Sequence, residues 1–193
     1  MHAAFLRPTC WAQIRYIDQL NGAQRNRIRI LKSAEVDILA DGTLDYSDSL
    51  LKELDYTVCS IHSKFSLSKT AQTERVMRAM DNRFFNILGH ATGRRLLKRP
   101  GYELEFGRVV EHARKNGCFF EINSSPERLD LSATNARLAC EAGVKIAINT
   151  DAHHTREFDF VTSGVEQARR AGLDKSSILN CSPWPKLQRM LRR

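Results

Sequence analysis

Long apolar runs are missing from these 193 residues: nothing approaches the ~20 consecutive apolar residues that a membrane-spanning helix needs. The opening stretch MHAAFLRPTCWAQ lacks the charged start, apolar middle and small-residue cleavage site of a secretory signal, so a cytoplasmic location is expected. Cysteine is sparse and unpatterned. The five cysteines, Cys10, Cys59, Cys118, Cys140 and Cys181, are odd in number and scattered, with no Cys-x-x-Cys pair, and read as reduced thiols. Aromatic residues make up only 8% and do not interleave with the basic runs, which argues against a stacking platform for single strands. No Gly-x-Ser-x-Gly, Walker phosphate loop or Gly-x-Gly-x-x-Gly is present, so serine hydrolase, nucleoside triphosphatase and dinucleotide readings lack support. Low-complexity tracts, fixed-period repeats and Pro/Gly/Ser-rich linkers are absent as well, and a single domain over 1–193 is expected.

What the chain does contain is ordinary for a folded protein, with 42% hydrophobic and 27% charged residues. Its net charge of +8 favours an anionic partner such as nucleic acid or phosphate. Short runs rich in Val, Ile and Phe recur at 28–38, 57–61, 86–89, 118–122 and 144–149, each the length of a buried strand. Helical patterns separate them. Val76, Met77 and Met80 form one stripe, and Leu104, Val109, Val110 and Ala113 form another before Gly117. Gly117 and Gly143 stand where a helix C′ residue would, directly ahead of a strand. Thr9 could cap a first helix carrying Trp11, Ile14, Ile17 and Leu20, and PWPKLQRMLRR could form a last one. This alternation argues for a parallel α/β sheet or barrel.

In such folds the chemistry gathers at the carboxyl ends of the strands. The five candidate strands finish in AEVDI, CSIHS, LGHAT, EINSS and NTDAHH, and every one of them contains His, Asp or Glu. Glu35 and Asp37, like Asp151 and His153, are two apart, and residues two apart on a strand face the same way. Each pair could converge on one point. Mixed imidazole and carboxylate donors suit Zn²⁺, Mn²⁺ or Fe²⁺, ions that serve phosphate ester cleavage by acidifying bound water. The acidic stretch at 37–48 fails as a Ca²⁺ loop, since Leu39 occupies the second ligand place and no Glu falls at the twelfth; it reads as a turn followed by a capped helix.

The stretches LKSAEVDILADGTLDY, SIHSKF, ILGHATGRRLLKRPGYE, EINSSPERLDL and NTDAHHTREFDFVTSGVEQARRAGLDKSSILN resemble the polymerase-and-histidinol-phosphatase (PHP) domain, in the version found at the C-terminus of bacterial family X DNA polymerases. The resemblance runs from Trp11 to about Asn180 and leaves residues 1–10 outside it. It implies a distorted TIM-like α/β barrel with up to three divalent metal ions (Zn, Mn or Fe) at its strand ends. Carried over residue by residue, it makes Glu35 a bridging carboxylate, His62 and His90 ligands of one ion, and Asp151 and His153 ligands toward the other two. All five would be catalytic. The activity implied is phosphoester hydrolysis at DNA three-prime ends. The alternatives are an inactive remnant that binds DNA or acts structurally, and a small-molecule phosphatase of the histidinol phosphate type.

The family's His-x-His first strand and its second strand with a Thr-Asp-His type motif have no counterpart here; His2 is the only histidine ahead of Glu35. An incomplete barrel of about five parallel strands with flanking helices is therefore expected, with one ion held by Glu35, His62 and His90 and with Asp151 and His153 short of partners. Unpaired edges near Ile30 and Ile146 would then invite self-association, or a second chain supplying the missing strands. Ala91 stands where the family has Pro, and His154 where it has a small hydroxyl residue; His154 reads as a solvent-facing loop residue. Arg94, Arg95, Lys98 and Arg99 follow His90 on a loop at the active edge, placed to meet DNA or phosphate. The runs at 25–29 and 189–193 read as surface charge.

Overall fold

The structure, a computed structural model, describes residues 3–23 and 28–192. Five strands, β1 (Ser33–Asp37), β2 (Tyr56–Ser60), β3 (Ile87–Leu88), β4 (Phe119–Asn123) and β5 (Ile146–Asn149), form one parallel sheet in sequential order. Each expected strand is present. The first is shorter than its apolar run, because the Asn21 side chain occupies both backbone groups of Ile30, at 2.8 Å each, before the sheet begins.

Parallel neighbours in sequence order need a crossover each time; α3 (Lys69–Met80), α4 (Phe106–Asn116) and α5 (Ala133–Glu141) supply three of the four, and α6 (Val161–Arg170) follows β5. These helices pack side by side on one face of the sheet. Ser68 and Ser132 cap α3 and α5 by accepting from Ala71 N and Asn135 N, both at 3.2 Å. Gly117 and Gly143 end α4 and α5 at φ +62° and +86°, a left-handed turn that a side chain would strain. Beneath the helices Val36, Cys59, Leu88, Phe120, Ile122 and Ile146 are buried with Val76, Met80, Val109 and Val110. At roughly 1.5–3 kcal/mol for each large side chain, that burial is the main force fixing the crossovers.

The other face of the sheet divides in two. Near the strand starts, α7 (Trp184–Leu191) lays Leu187, Met190 and Leu191 on Ile87, Phe119 and Ala147. Asn86 anchors it there: its amide donates to Leu191 O at 2.7 Å while its side-chain oxygen accepts from Thr57 N at 2.9 Å. Toward the strand ends this face is polar and open.

Two expectations about the helices change. The first helix, α1 (Ala3–Ala23), buries Ile14 and Ile17 as its stripe implies, but begins before Thr9. The Thr9 side chain, His2 and residues 25–27 of the basic run lie outside the described residues. Ser47 stands at the start of the short α2 (Asp48–Leu51) without capping it; its hydroxyl lies 2.9 Å from Ser49 Oγ instead.

The sheet edges also differ from expectation. The outer edge of β5 is covered: Ile146 N donates to Ser177 O at 3.0 Å, and Asn180 takes both backbone groups of Ile148, at 3.2 and 2.8 Å. Neither β1 nor β5 has a further strand beyond it among the described residues. No described helix is long and apolar enough to cross a membrane. Replacing Asn180 by Ala removes both bonds to Ile148 and should cost about 1–2 kcal/mol of stability, measurable as a lower urea midpoint with an unchanged slope.

Candidate metal centre

Sequential strand order makes the ends of β1, β2 and β3 neighbours, and each contributes one donor. Glu35 Oε1 lies 2.9 Å from His90 Nε2 and 3.4 Å from His62 Nε2, and the two imidazole nitrogens are 3.3 Å apart. Among the described residues this is the one group of three or more His, Cys, Asp or Glu side chains whose donor atoms converge. A tetrahedral Zn²⁺ with ligands at ~2.0–2.1 Å sets its donors about 3.3 Å apart, so the triangle fits a single ion and leaves a position open on the solvent side.

Around the triangle stand groups that orient it. His62 turns its Nδ1 toward Asp37 Oδ1 at 2.5 Å, the carboxylate–histidine arrangement that fixes the ring and points Nε2 inward. Asp37, two residues from Glu35 and on the same side of β1, thus serves behind the donors. His90 is held by its backbone: its N–H donates to Glu121 Oε2 at 2.8 Å, while the other oxygen of Glu121 accepts from Asn149 Nδ2 at 2.8 Å. Gly89 makes room for this. A Cβ at that position would stand 2.5 Å from Ser60 Oγ and 2.7 Å from Val58, with Glu121 Oε2 just beyond at 3.5 Å. His90 itself has φ +27°, a conformation that a non-glycine residue keeps only when its surroundings enforce it.

Arg75 fixes the strand ends from below. This buried side chain on α3 donates to Leu39 O at 2.8 Å, to Ser63 O at 2.9 Å and to Ile38 O, so one guanidinium ties the loop after Asp37 to the loop after His62.

The electrostatics follow from these contacts. Burial works against ionisation of Glu35, but hydrogen bonds from His62 and His90 outweigh it and hold the carboxyl well below its usual range. The hydrogen bond to Glu35, opposed by partial burial and reinforced by Asp37, raises His62 to about 9. Burial pushes Glu121 up, against the bonds from Asn149 and His90.

Asp151 and His153 do not join the triangle. They lie on the loop beyond β5, which ends at Asn149, so the face-sharing expected of strand residues two apart does not apply. Asp151 has φ +56°; its carboxylate accepts from Asn123 Nδ2 at 3.1 Å and lies 3.6 Å from Arg128 Nε. It lines, with Glu35, Glu121 and Asn123, a cavity of about 470 Å³ on the open face of the sheet. His153 is exposed and donates from Nδ1 to the carbonyl of Asp151 at 2.8 Å, and His154 is exposed beside it.

The basic loop divides as well. Arg94 donates to the carbonyls of Arg128 and Leu129, and Arg99 donates to Gly93 O at 2.6 Å with its guanidinium 4.0 Å above the Phe65 ring. Both are spent on holding the loop rather than facing solvent. Arg95 and Lys98 are surface residues that share Glu127, holding its carboxyl down to about 2.

Five parallel strands in one sheet flanked by helices fit a partial TIM-like barrel of the PHP kind, and a Glu/His/His group stands at the carboxyl edge. The resemblance to the domain carried by family X DNA polymerases stands beside it. The DNA polymerase/3'-5' exonuclease PolX of Bacillus subtilis is 39% identical over 181 residues, covering 94% of this chain and 32% of that protein. A probable phosphatase of Thermoanaerobacter sp. (strain X514) is 29% identical over 163 residues, 79% of this chain and 64% of its own length. A probable phosphatase of Clostridium acetobutylicum is 30% identical over 149 residues, 72% and 59% respectively. The chain therefore spans about a third of the polymerase and under two thirds of these phosphatases. No family model matches it.

Replacing Arg75 by Met leaves three carbonyls at the strand ends without their donor and should cost roughly 2–4 kcal/mol. A thermal melt will read that loss, and weaker Mn²⁺ binding by calorimetry will show that the donors have drifted apart.

Proposed function

We propose that this chain is a metal-dependent phosphoesterase of the PHP type whose substrates are DNA three-prime ends. The observation that supports this most directly is the triangle of Glu35, His62 and His90, with Asp37 behind His62, at the edge of the sheet where ligands of α/β folds collect. A divalent ion there would supply Lewis acidity and a water of lowered pKa. The chain's own residues do the rest. Glu35 contributes the negative charge, Asp37 holds the His62 imidazole and Glu121 holds the backbone of His90. Arg128, 3.6 Å from the cavity-lining Asp151, is a cation that would meet a phosphate oxygen there.

The DNA reading rests on the PolX relative and on the charge of +8. The probable phosphatases favour a second reading, hydrolysis of a small phosphate monoester on the same site. An assay in Mn²⁺ with a three-prime recessed duplex, a duplex bearing a three-prime phosphate, and p-nitrophenyl phosphate separates the two. We expect turnover of the DNA substrates and a fall to background in His62→Ala; equal rates for wild type and variant would remove the enzyme reading altogether.

The site also predicts a pH signature. In metal-free protein the raised pKa of His62 contributes stability that is complete below its unfolded value of 6.5 and is lost as pH rises through about 9. The depressed Glu35 contributes stability that is present above 4.5 and is lost as pH falls below it. Melting temperatures of EDTA-treated protein should therefore be highest between these values. Mn²⁺ must displace the His62 proton, so its affinity should rise roughly tenfold per pH unit toward 9 by calorimetric titration.

A further inference from the structure

Leu97 is fully exposed, at 108% of its reference area, and stands at φ +59° at the tip of the loop after His90. A leucine gains nothing from either condition in an isolated chain, and a non-glycine residue persists there only where its surroundings over-determine it. Those surroundings are rigid. Arg95 and Arg99 pair as an antiparallel bridge, with Arg95 N donating to Arg99 O at 2.9 Å and Arg99 N to Arg95 O at 2.8 Å. Leu96 N donates to Glu127 O at 2.7 Å, and the inward-turned Arg94 and Arg99 clamp both stems. The hairpin thus presents an apolar tip, Leu97 with the partly exposed Leu96, between two half-exposed cations, Arg95 and Lys98. A concavity of about 420 Å³ runs along residues 94–101.

Leu97 lies seven residues after His90, so the chain between them spans at most ~25 Å, and the turn from Gly93 N to His90 O shortens that reach. The stem is also fastened to Glu127 and Arg128, and Arg128 faces Asp151 in the cavity that holds Glu35.

A flat apolar surface joined to an anionic backbone is the chemistry that matches an apolar tip flanked by cations. Two leucines are too few for a stable protein interface, which needs about 800 Å² per partner, and too few for membrane anchoring by an amphipathic helix. We propose that the Arg95–Arg99 hairpin is a wedge in which Leu97 packs on the terminal base of a DNA end, separating it from its neighbour, while Arg95 and Lys98 meet the backbone. Apolar side chains inserted between bases are an established means of unstacking them. The inference rests on the DNA reading of the same site and adds the residue that engages the base.

The test measures binding without turnover. The full chain in EDTA is titrated into a three-prime recessed duplex carrying 2-aminopurine, an adenine analogue that brightens on unstacking, at the terminal or at an internal position. Wild type should brighten the terminal probe and leave the internal one dark. Leu97→Ala should bind about fivefold more weakly and lose the terminal signal, with an unchanged melting temperature, whereas Leu97→Phe should keep both. Equal affinity and equal brightening in Leu97→Ala overturn the wedge, as does any failure of wild type to bind this DNA. If Leu97→Ala instead converts an oligomer into a monomer in sedimentation with DNA binding intact, the tip belongs to a second copy of the chain and the wedge is again overturned. A chain that brightens the probe through Leu97 yet hydrolyses no phosphoester keeps the wedge and loses the phosphoesterase reading; one that hydrolyses DNA ends while Leu97→Ala brightens the probe like wild type does the reverse.

Discussion

Three electron-rich atoms, Glu35 Oε1 and the Nε2 atoms of His62 and His90, lie within 3.4 Å of one another at the edge of this sheet. Lone pairs gathered so closely repel unless a positive charge sits among them. A proton on His62 meets that need in the metal-free state, which is why its pKa rises to about 9, and a divalent cation would meet it better by engaging all three donors at once. Much of the surrounding structure is explained as the means of enforcing this proximity. Asp37 aims one ring and Glu121 holds the backbone of the other, while Arg75 keeps the loops after β1 and β2 from separating.

The sheet assigns its open face to two tasks by position along the strands. At the strand starts, Ile87, Phe119 and Ala147 are apolar and α7 covers them. At the strand ends the same face carries Glu35, Glu121, Asn123 and Asn149, whose polar groups would be costly to bury under a helix. Alternation along single strands therefore produces both the seat of α7 and the cavity beside the metal centre. Glu121 belongs to both worlds: it is buried, its carboxyl is pushed toward neutrality by that burial, and it spends both oxygens on Asn149 and His90.

The five strands were legible because each is a short apolar run closed by turn residues, and residue type at the strand ends marked the candidate donors. The grouping of Glu35 with His62 and His90 came from the resemblance to the PHP domain, since period alone pairs Glu35 with Asp37. Period and residue type misled at Asp151 and His153, where Asp-x-His spacing looked like a strand face but β5 stops at Asn149 and the chain turns left-handed at Asp151. The basic loop misled in another way, since a guanidinium can hold a carbonyl as readily as a phosphate, and only the fold shows Arg94 and Arg99 turned inward. Arg75, Glu121 and Arg128 carried no local signal. Their roles depend on which strand ends are adjacent, a property of topology that no window of sequence contains.

The engagement of Arg94 and Arg99 changes what the loop after His90 can do. A loop of four free cations would be a flexible electrostatic surface, able to attract any anion and to position none. With two cations clamped to carbonyls and two sharing Glu127, the loop loses net charge but gains a fixed shape, and its most exposed atoms become the side chain of Leu97. Fixed shape is what specificity at a chain end requires, because every phosphate along a nucleic acid offers the same charge and only the terminus offers a base with one face free. On the phosphoesterase reading, the triangle of donors would act on any phosphoester that reaches it, and the fixed tip of the loop after His90 is the feature of this surface that would select which ones arrive.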